Sequence, residues 1–289
     1  MKKNADYELL DCGGGRKLEK FGEIVIDRPS PAAELVKKKD PELWHGKNAI
    51  FFRNKNRPSA WYSADGSLPE SWTIEISGIK ALLRPAVNGQ IGIFPEQIDN
   101  WVELKKTIRY ARSDLKILNV FGYTGIATLF ASSASNDEYK VEVTHVDASK
   151  SAVNWAKENA TLNGLEGNPV RWIVDDAVSF MEKEIRRERK YDGIILDPPA
   201  FGRTKTGKMW SLKKDLPSLF DLVSGLMSAN PLFILISCHD RELTHEDLAK
   251  ELRTMKFAGN GIIKSGNLTL KAENGATLDS GVYAHWMKK

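Results

Sequence analysis

Cysteine is nearly absent: Cys12 and Cys238 are the only two in 289 residues. That excludes a disulfide-dense scaffold, and with no CxxC pair a zinc ribbon is excluded too. Histidine is also scarce. His45, His145, His239, His245 and His285 show no metal-ligand spacing, so no metal is expected. Neither sign of charge dominates, since 42 Lys/Arg against 38 Asp/Glu leave a net +4. This balance permits nucleic-acid binding without demanding it. No apolar run approaches the roughly 18 residues of a membrane span. The first residues, Met1-Lys2-Lys3-Asn4-Ala5-Asp6-Tyr7, lack the apolar core of a signal peptide. No GxSxG elbow supports a hydrolase, and no Lys-bearing phosphate loop supports a P-loop enzyme. These absences predict a reduced, soluble, cytoplasmic protein.

What is present is an ordinary globular mixture, 42% hydrophobic and 28% charged. The length fits one large or two modest domains. The style of the chain changes near residue 110. Before it, short candidate strands (Tyr7–Asp11, Glu23–Asp27, Ala49–Arg53, Trp72–Ile76, Lys80–Leu83) are punctuated by Gly13-Gly14-Gly15, Arg28-Pro29 and Ala64-Asp65-Gly66. This predicts a small β-rich domain over residues 1–110, ending in a linking helix over Glu96–Arg112.

From Asp114 apolar strands alternate with helices. The strands are Leu115–Phe121, Val141–Val146, Val170–Val174, Tyr191–Leu196 and Leu232–Ser237. Between and after them lie helices at Thr124–Ala134, Ser149–Asn163, Ala177 to about Arg189, Leu219–Ser228 and Thr244–Met255. A hairpin follows in Gly261–Ser265, Leu268–Lys271 and Gly281–Trp286. Alternation with nearly all-apolar strands predicts an α/β fold over 111–289. Its sheet is Rossmann-like, doubly wound and mostly parallel, with a C-terminal antiparallel hairpin.

In such sheets ligands bind beyond the carboxyl ends of the strands, where strand order reverses. The first strand is followed by Asn119-Val120-Phe121-Gly122-Tyr123-Thr124-Gly125. Its two glycines let the backbone approach a ligand and turn into a helix, although the GxGxxG phosphate pattern is missing. The second strand ends in Asp147-Ala148, a carboxylate placed to accept both hydroxyls of a ribose. Asp175-Asp176 follows the third, and either acid suits an adenine amine or a helix cap. Asp197-Pro198-Pro199-Ala200-Phe201 follows the fourth, where two prolines make a rigid rim with carbonyls free of the sheet.

With four such signals in this order, the sequence resembles the class I methyltransferases that use S-adenosylmethionine. Within that class it is similar to the subgroup around the large-subunit ribosomal RNA methyltransferases that modify cytosine C5 or guanine N7. No RNA-binding domain of the PUA type is evident. The resemblance implies a cofactor loop of Asn119, Phe121, Gly122, Tyr123, Thr124 and Gly125. It implies ribose contacts at Asp147 and Ala148, an adenine contact at Asp176 and a catalytic rim at Asp197, Pro198 and Pro199. It places Gln97, in Gly89–Gln97, at the cofactor's polar end, and it implies an RNA substrate.

The acceptor chemistry turns on Cys238, at the end of the fifth strand. Methylation of cytosine C5 needs a thiolate to add at C6, and His239 beside it is a candidate to lower the thiol pKa. The alternative is a buried, inert thiol. After the rim, Arg203–Lys214 carries five cations, no acid and Trp210, a mix that suits phosphates and a stacked base. Arg53–Arg57 extends that track or forms a plain charged turn. Competing readings are a methyltransferase for a protein or small molecule, a nicotinamide-dinucleotide oxidoreductase on a similar sheet, and a silent nucleic-acid-binding module.

Overall fold

The computed structural model describes residues 6–53, 58–63, 65–203 and 209–289. The chain forms two compact units, Met1–Ile98 with Thr269–Ser280, and Asp99–Leu268 with Gly281–Lys289.

The first unit holds a five-stranded sheet in sequential order: β1 (Tyr7–Gly13), β2 (Arg16–Phe21), β3 (Ile24–Pro29), β4 (Ala49–Phe52) and β5 (Ala60–Tyr62). A separate hairpin pairs β6 (Trp72–Ile76) with β7 (Ile79–Leu83). Strands β2 and β5 go beyond what the sequence pattern predicts. β2 reads Arg-Lys-Leu-Glu-Lys-Phe, yet its charges are satisfied inside the sheet. Glu19 is fully buried, takes both prongs of the Arg28 guanidinium (2.5 and 3.2 Å) and pairs with Lys17 at 3.0 Å. Burial opposes that charge, but Arg28 and Lys17 outweigh it and hold the carboxyl at a pKa of about 2.

The second unit is the α/β part. In chain order it runs α1 (Ile98–Ala111), β8 (Leu115–Val120), α2 (Ile126–Ser132), β9 (Val141–Asp147), α3 (Lys150–Leu162), β10 (Val170–Val174), α4 (Ala177–Arg186) and β11 (Gly193–Leu196). The short hairpin β12 (Phe201–Arg203) and β13 (Met209–Ser211) comes next. Then follow α5 (Leu212–Leu226), β14 (Phe233–Cys238), α6 (His245–Thr254), β15 (Gly261–Lys271) and β16 (Thr277–Lys288). Seven strands lie in the order β10-β9-β8-β11-β14-β16-β15. The first five run parallel, and β16 lies antiparallel to β14.

Two packed layers explain the apolar strands. Leu118, Val120, Ile194 and Ile236 pack one face against Phe180, Leu219 and Leu248. Ile117, Val143 and Leu235 pack the other against Leu104 and Ile108 of α1. That second contact places α1 in this unit, whereas the sequence pattern joins it to the β-rich part. Helix α5 begins two turns before the expected Leu219. Lys213 and Lys214, read as the end of a loop, lie in its first turn, and Pro217 sits inside the helix. Among the described residues no helix is long and apolar enough to cross a membrane.

Candidate cofactor and acceptor site

Strand order reverses between β8 and β11, so the crevice beyond their carboxyl ends is the position at which such sheets take ligands. The loop after β8 is tightly wound. Phe121 and Tyr123 hold φ of 60° and 48°, and Gly125 holds 81° as the residue capping α2. Left-handed backbone at two non-glycine residues costs about 1–3 kcal/mol each and persists only where neighbours enforce it. The enforcing bonds are Gly122 N to Val146 O (3.0 Å), Tyr123 N to Asp147 Oδ2 (2.8 Å) and Asn159 Nδ2 to Thr124 O (2.9 Å). Both glycines are required by space. A Cβ on Gly122 would sit 2.5 Å from the His145 ring, and one on Gly125 would sit 2.7 Å from Ala156 Cβ.

Beneath the loop runs a buried polar chain. Asn119 Nδ2 donates to Thr128 Oγ1 at 2.8 Å, and that hydroxyl meets His145 Nδ1 at 2.9 Å. Burial pushes the His145 pKa down to about 3, so the imidazole is neutral. Asn119 therefore supports the loop from below. No sequence motif marks His145 or Thr128, because a His inside an apolar strand carries no signal of its own.

Asp147 closes β9 with a half-buried carboxylate. Its Oδ2 accepts from Tyr123 N and its Oδ1 from Ser149 N, both at 2.8 Å. Each oxygen keeps a second lone pair, which matches two adjacent hydroxyls. Ala148 is exposed beside it. Asp176 caps α4, with Oδ1 accepting from Ser179 N at 2.9 Å. Its Oδ2 takes no hydrogen bond among the described residues. The cap and the ligand roles are thus compatible. The polar set fits S-adenosylmethionine: a paired acceptor for the ribose, a single acceptor for the adenine amine on the neighbouring strand end, and a close-approach loop on the other side of Asp147. Gln97 lies buried in a short 3-10 turn, Pro95–Gln97, of the first unit.

The rim after β11 is fixed at several points. Ser237 Oγ donates to Asp197 Oδ1 at 2.9 Å. Pro198 is buried and Pro199 exposed. The Pro199 carbonyl, expected to be open, accepts the Trp210 indole N–H at 2.8 Å, and the Ala200 carbonyl accepts Leu212 N at 2.9 Å. Phe201 stays 62% exposed at the edge. The sequence offers Trp210 as a stacking residue for RNA; its ring is 9% exposed and belongs to the core.

Cys238 is fully buried at the end of β14. Burial, with the carboxylates of Asp197 and Asp240, pushes its thiol pKa up to about 12. The expectation that His239 lowers it is corrected: acids and apolar packing surround the sulfur, and the thiol is held protonated. Asp240, which no sequence motif marks, is 5% exposed, and its Oδ2 has no hydrogen-bond partner among the described residues. Of the basic stretch 203–214, residues 204–208 lie outside the described residues, as do 54–57. Lys213 pairs with Glu242 at 3.1 Å. No group of three His, Cys, Asp or Glu suited to a metal occurs among the described residues.

No protein-family model matches the chain. A solved SAM-dependent methyltransferase from Agrobacterium tumefaciens superposes with a TM-score of 0.91 at 35% identity, covering 100% of this chain and 92% of its own. Ribosomal RNA large subunit methyltransferase I of Aeromonas salmonicida is 31% identical over 136 residues, 47% of this chain and 32% of that protein. Ribosomal RNA large subunit methyltransferase K/L of Shewanella frigidimarina is 33% identical over 115 residues, 39% of this chain and 15% of that protein. The chain therefore spans a third or less of the length of these curated relatives.

Proposed function

The chain belongs to the SAM-dependent methyltransferases, and from that premise we propose that it methylates a base in RNA, ribosomal RNA in particular, in the cytoplasm. The observation that carries the reading is the series Asp147, Asp176 and Asp197, set at successive strand ends along one edge of the sheet. The relatives named for large-subunit ribosomal RNA support the choice of substrate.

S-adenosylmethionine supplies an electrophilic methyl group on a sulfonium. Asp147 holds its ribose and Asp176 its adenine amine, while the Phe121–Gly125 loop lets the backbone approach. Ala148 adds a proposed contact beside Asp147. Asp197, with Pro198 and Pro199 stiffening it, orients the acceptor base, a positioning effect. The protonated Cys238 favours an acceptor that already carries a lone pair, a ring nitrogen or an exocyclic amine, over cytosine C5. For an amine, the methyl would leave the sulfonium as its S–C bond breaks to give a neutral thioether, and the N–H proton released by the nitrogen that gains it would pass to the Asp197 carboxylate and on to water.

Transfer of labelled methyl from S-adenosylmethionine into deproteinised ribosomal RNA tests this reading. Label appearing in a nucleoside digest supports it. With ribosomal protein and a small-molecule extract offered in parallel, label appearing only in those and none in the RNA rejects it.

A further inference from the structure

We propose that a basic cleft at the opposite end of the sheet from the cofactor loop is a second contact site for the RNA phosphate backbone. It rests on the reading of RNA as substrate.

The cleft measures about 720 Å³ and opens at the amino ends of β8, β9, β10 and β11. Lys116, Arg171, Arg189 and Lys190 line it, against Glu142 and Glu188. Its base is organised by one buried carboxylate. Glu184 is 0% exposed, accepts the Tyr191 hydroxyl at 2.6 Å and draws in Arg187 at 3.1 Å, Arg171 at 3.4 Å and Arg189 at 3.8 Å. Burial opposes its charge, yet Tyr191, Arg187 and Arg171 hold the carboxyl below its usual range.

One carboxylate neutralises one guanidinium and here gathers three. The side chains of Arg171, Arg187 and Arg189 remain 42%, 58% and 55% exposed. Each is thus tethered at one edge and open at the other, with N–H donors left for a second anion. A tethered guanidinium loses less freedom on binding than a free one, and its planar fork matches phosphate oxygens. The ordinary alternative is that the arginines serve only as counter-ions to Glu184 and to the carboxyl end of α4. That reading leaves Lys116 and Lys190 unexplained. Both are exposed, and neither contacts Glu184. Among the described residues the Lys190 ammonium bonds the Gly225 carbonyl alone.

The five residues of β10 separate this cleft from the cofactor edge by about 17 Å, at roughly 3.3 Å per residue. An occupant that also reaches Asp197 is therefore a polymer. A single nucleotide is too short, which makes a folded RNA the fitting ligand.

The test uses the full chain, deproteinised ribosomal RNA as the probe and binding measured across a salt series. Lys116→Gln with Lys190→Gln leaves the Glu184 cluster intact. Arg171→Gln with Arg189→Gln adds the tethered pair, with thermal unfolding followed in parallel. The proposal expects RNA affinity to fall in both variants. The salt dependence should flatten by about 0.7 for each phosphate no longer neutralised on a single strand. Affinity for S-adenosylmethionine should stay unchanged. Wild-type RNA affinity and slope in the lysine variant, beside a wild-type protein that binds RNA, overturns the cleft alone. Failure of the wild-type protein to bind RNA at all overturns the substrate reading with it.

Discussion

Ser237 Oγ donates a hydrogen bond to Asp197 Oδ1 at 2.9 Å, joining the ends of two adjacent parallel strands 40 residues apart in the chain. The bond fixes one oxygen of the proposed orienting carboxylate. Asp197→Asn should abolish methyl transfer while S-adenosylmethionine still binds. Ser237→Ala should lower kcat about 10- to 100-fold, the equivalent of about 1.5–3 kcal/mol for a bond to a charged group. Steady-state kinetics beside calorimetry check this. A Ser237→Ala enzyme with wild-type kcat would leave the bond without a role.

The Cys238 thiol separates two chemistries. With its pKa pushed up to about 12, almost none of it is thiolate at neutral pH. Cys238→Ala should therefore keep most of its transfer activity. RNA carrying 5-fluorocytidine should form no covalent complex with the wild-type enzyme. A trapped adduct together with an inactive alanine variant would restore cytosine C5 as the target.

The polar chain under the cofactor loop has its own test. Thr128→Val keeps the shape but strands the Asn119 amide, at a cost of about 1–3 kcal/mol for an unsatisfied buried group. The loop should loosen and calorimetry should record weaker binding of S-adenosylmethionine. Thr128→Ser should restore it. Wild-type affinity in the valine variant would show that the chain does not govern the loop.

Stability should respond to pH in two stages. His145 has its folded pKa depressed to about 3 from 6.5. The unfolded chain takes up that proton first, so stability falls as pH drops below about 6.5. Glu19 is depressed to about 2 from 4.5, so its contribution is complete above about 4.5 and is lost as pH falls toward 2. Chemical denaturation across pH should show both slopes. Arg28→Met, which strands Glu19, should cost about 3–5 kcal/mol at neutral pH and flatten the slope between about pH 4.5 and 2, because the depressed Glu19 pKa depends on Arg28.

Much of the α/β part was legible because its strands are covered on both faces. Leu115–Val120 and Phe233–Cys238 are mostly apolar, as strands covered on both faces should be, and Val141–Asp147 keeps Val141, Val143 and Val146 at buried positions. Strand β2 was not legible, because its Glu19 is buried through the ion pairs with Lys17 on the same strand and with Arg28, a residue on the next strand. The acids at the strand ends could be read from position alone. The state of Cys238 could not, since it depends on Asp197, Asp240 and the packing of β16, which the chain brings together from distant stretches.

The central claim is that a base of ribosomal RNA receives the methyl group. Mass mapping of ribosomal RNA from cells lacking this protein, beside wild type, tests it most directly. One methylated nucleoside should be missing from the deficient cells, its methyl on nitrogen, and restored by the wild-type chain but not by Asp197→Asn. Identical methylation maps in the two strains would contradict it.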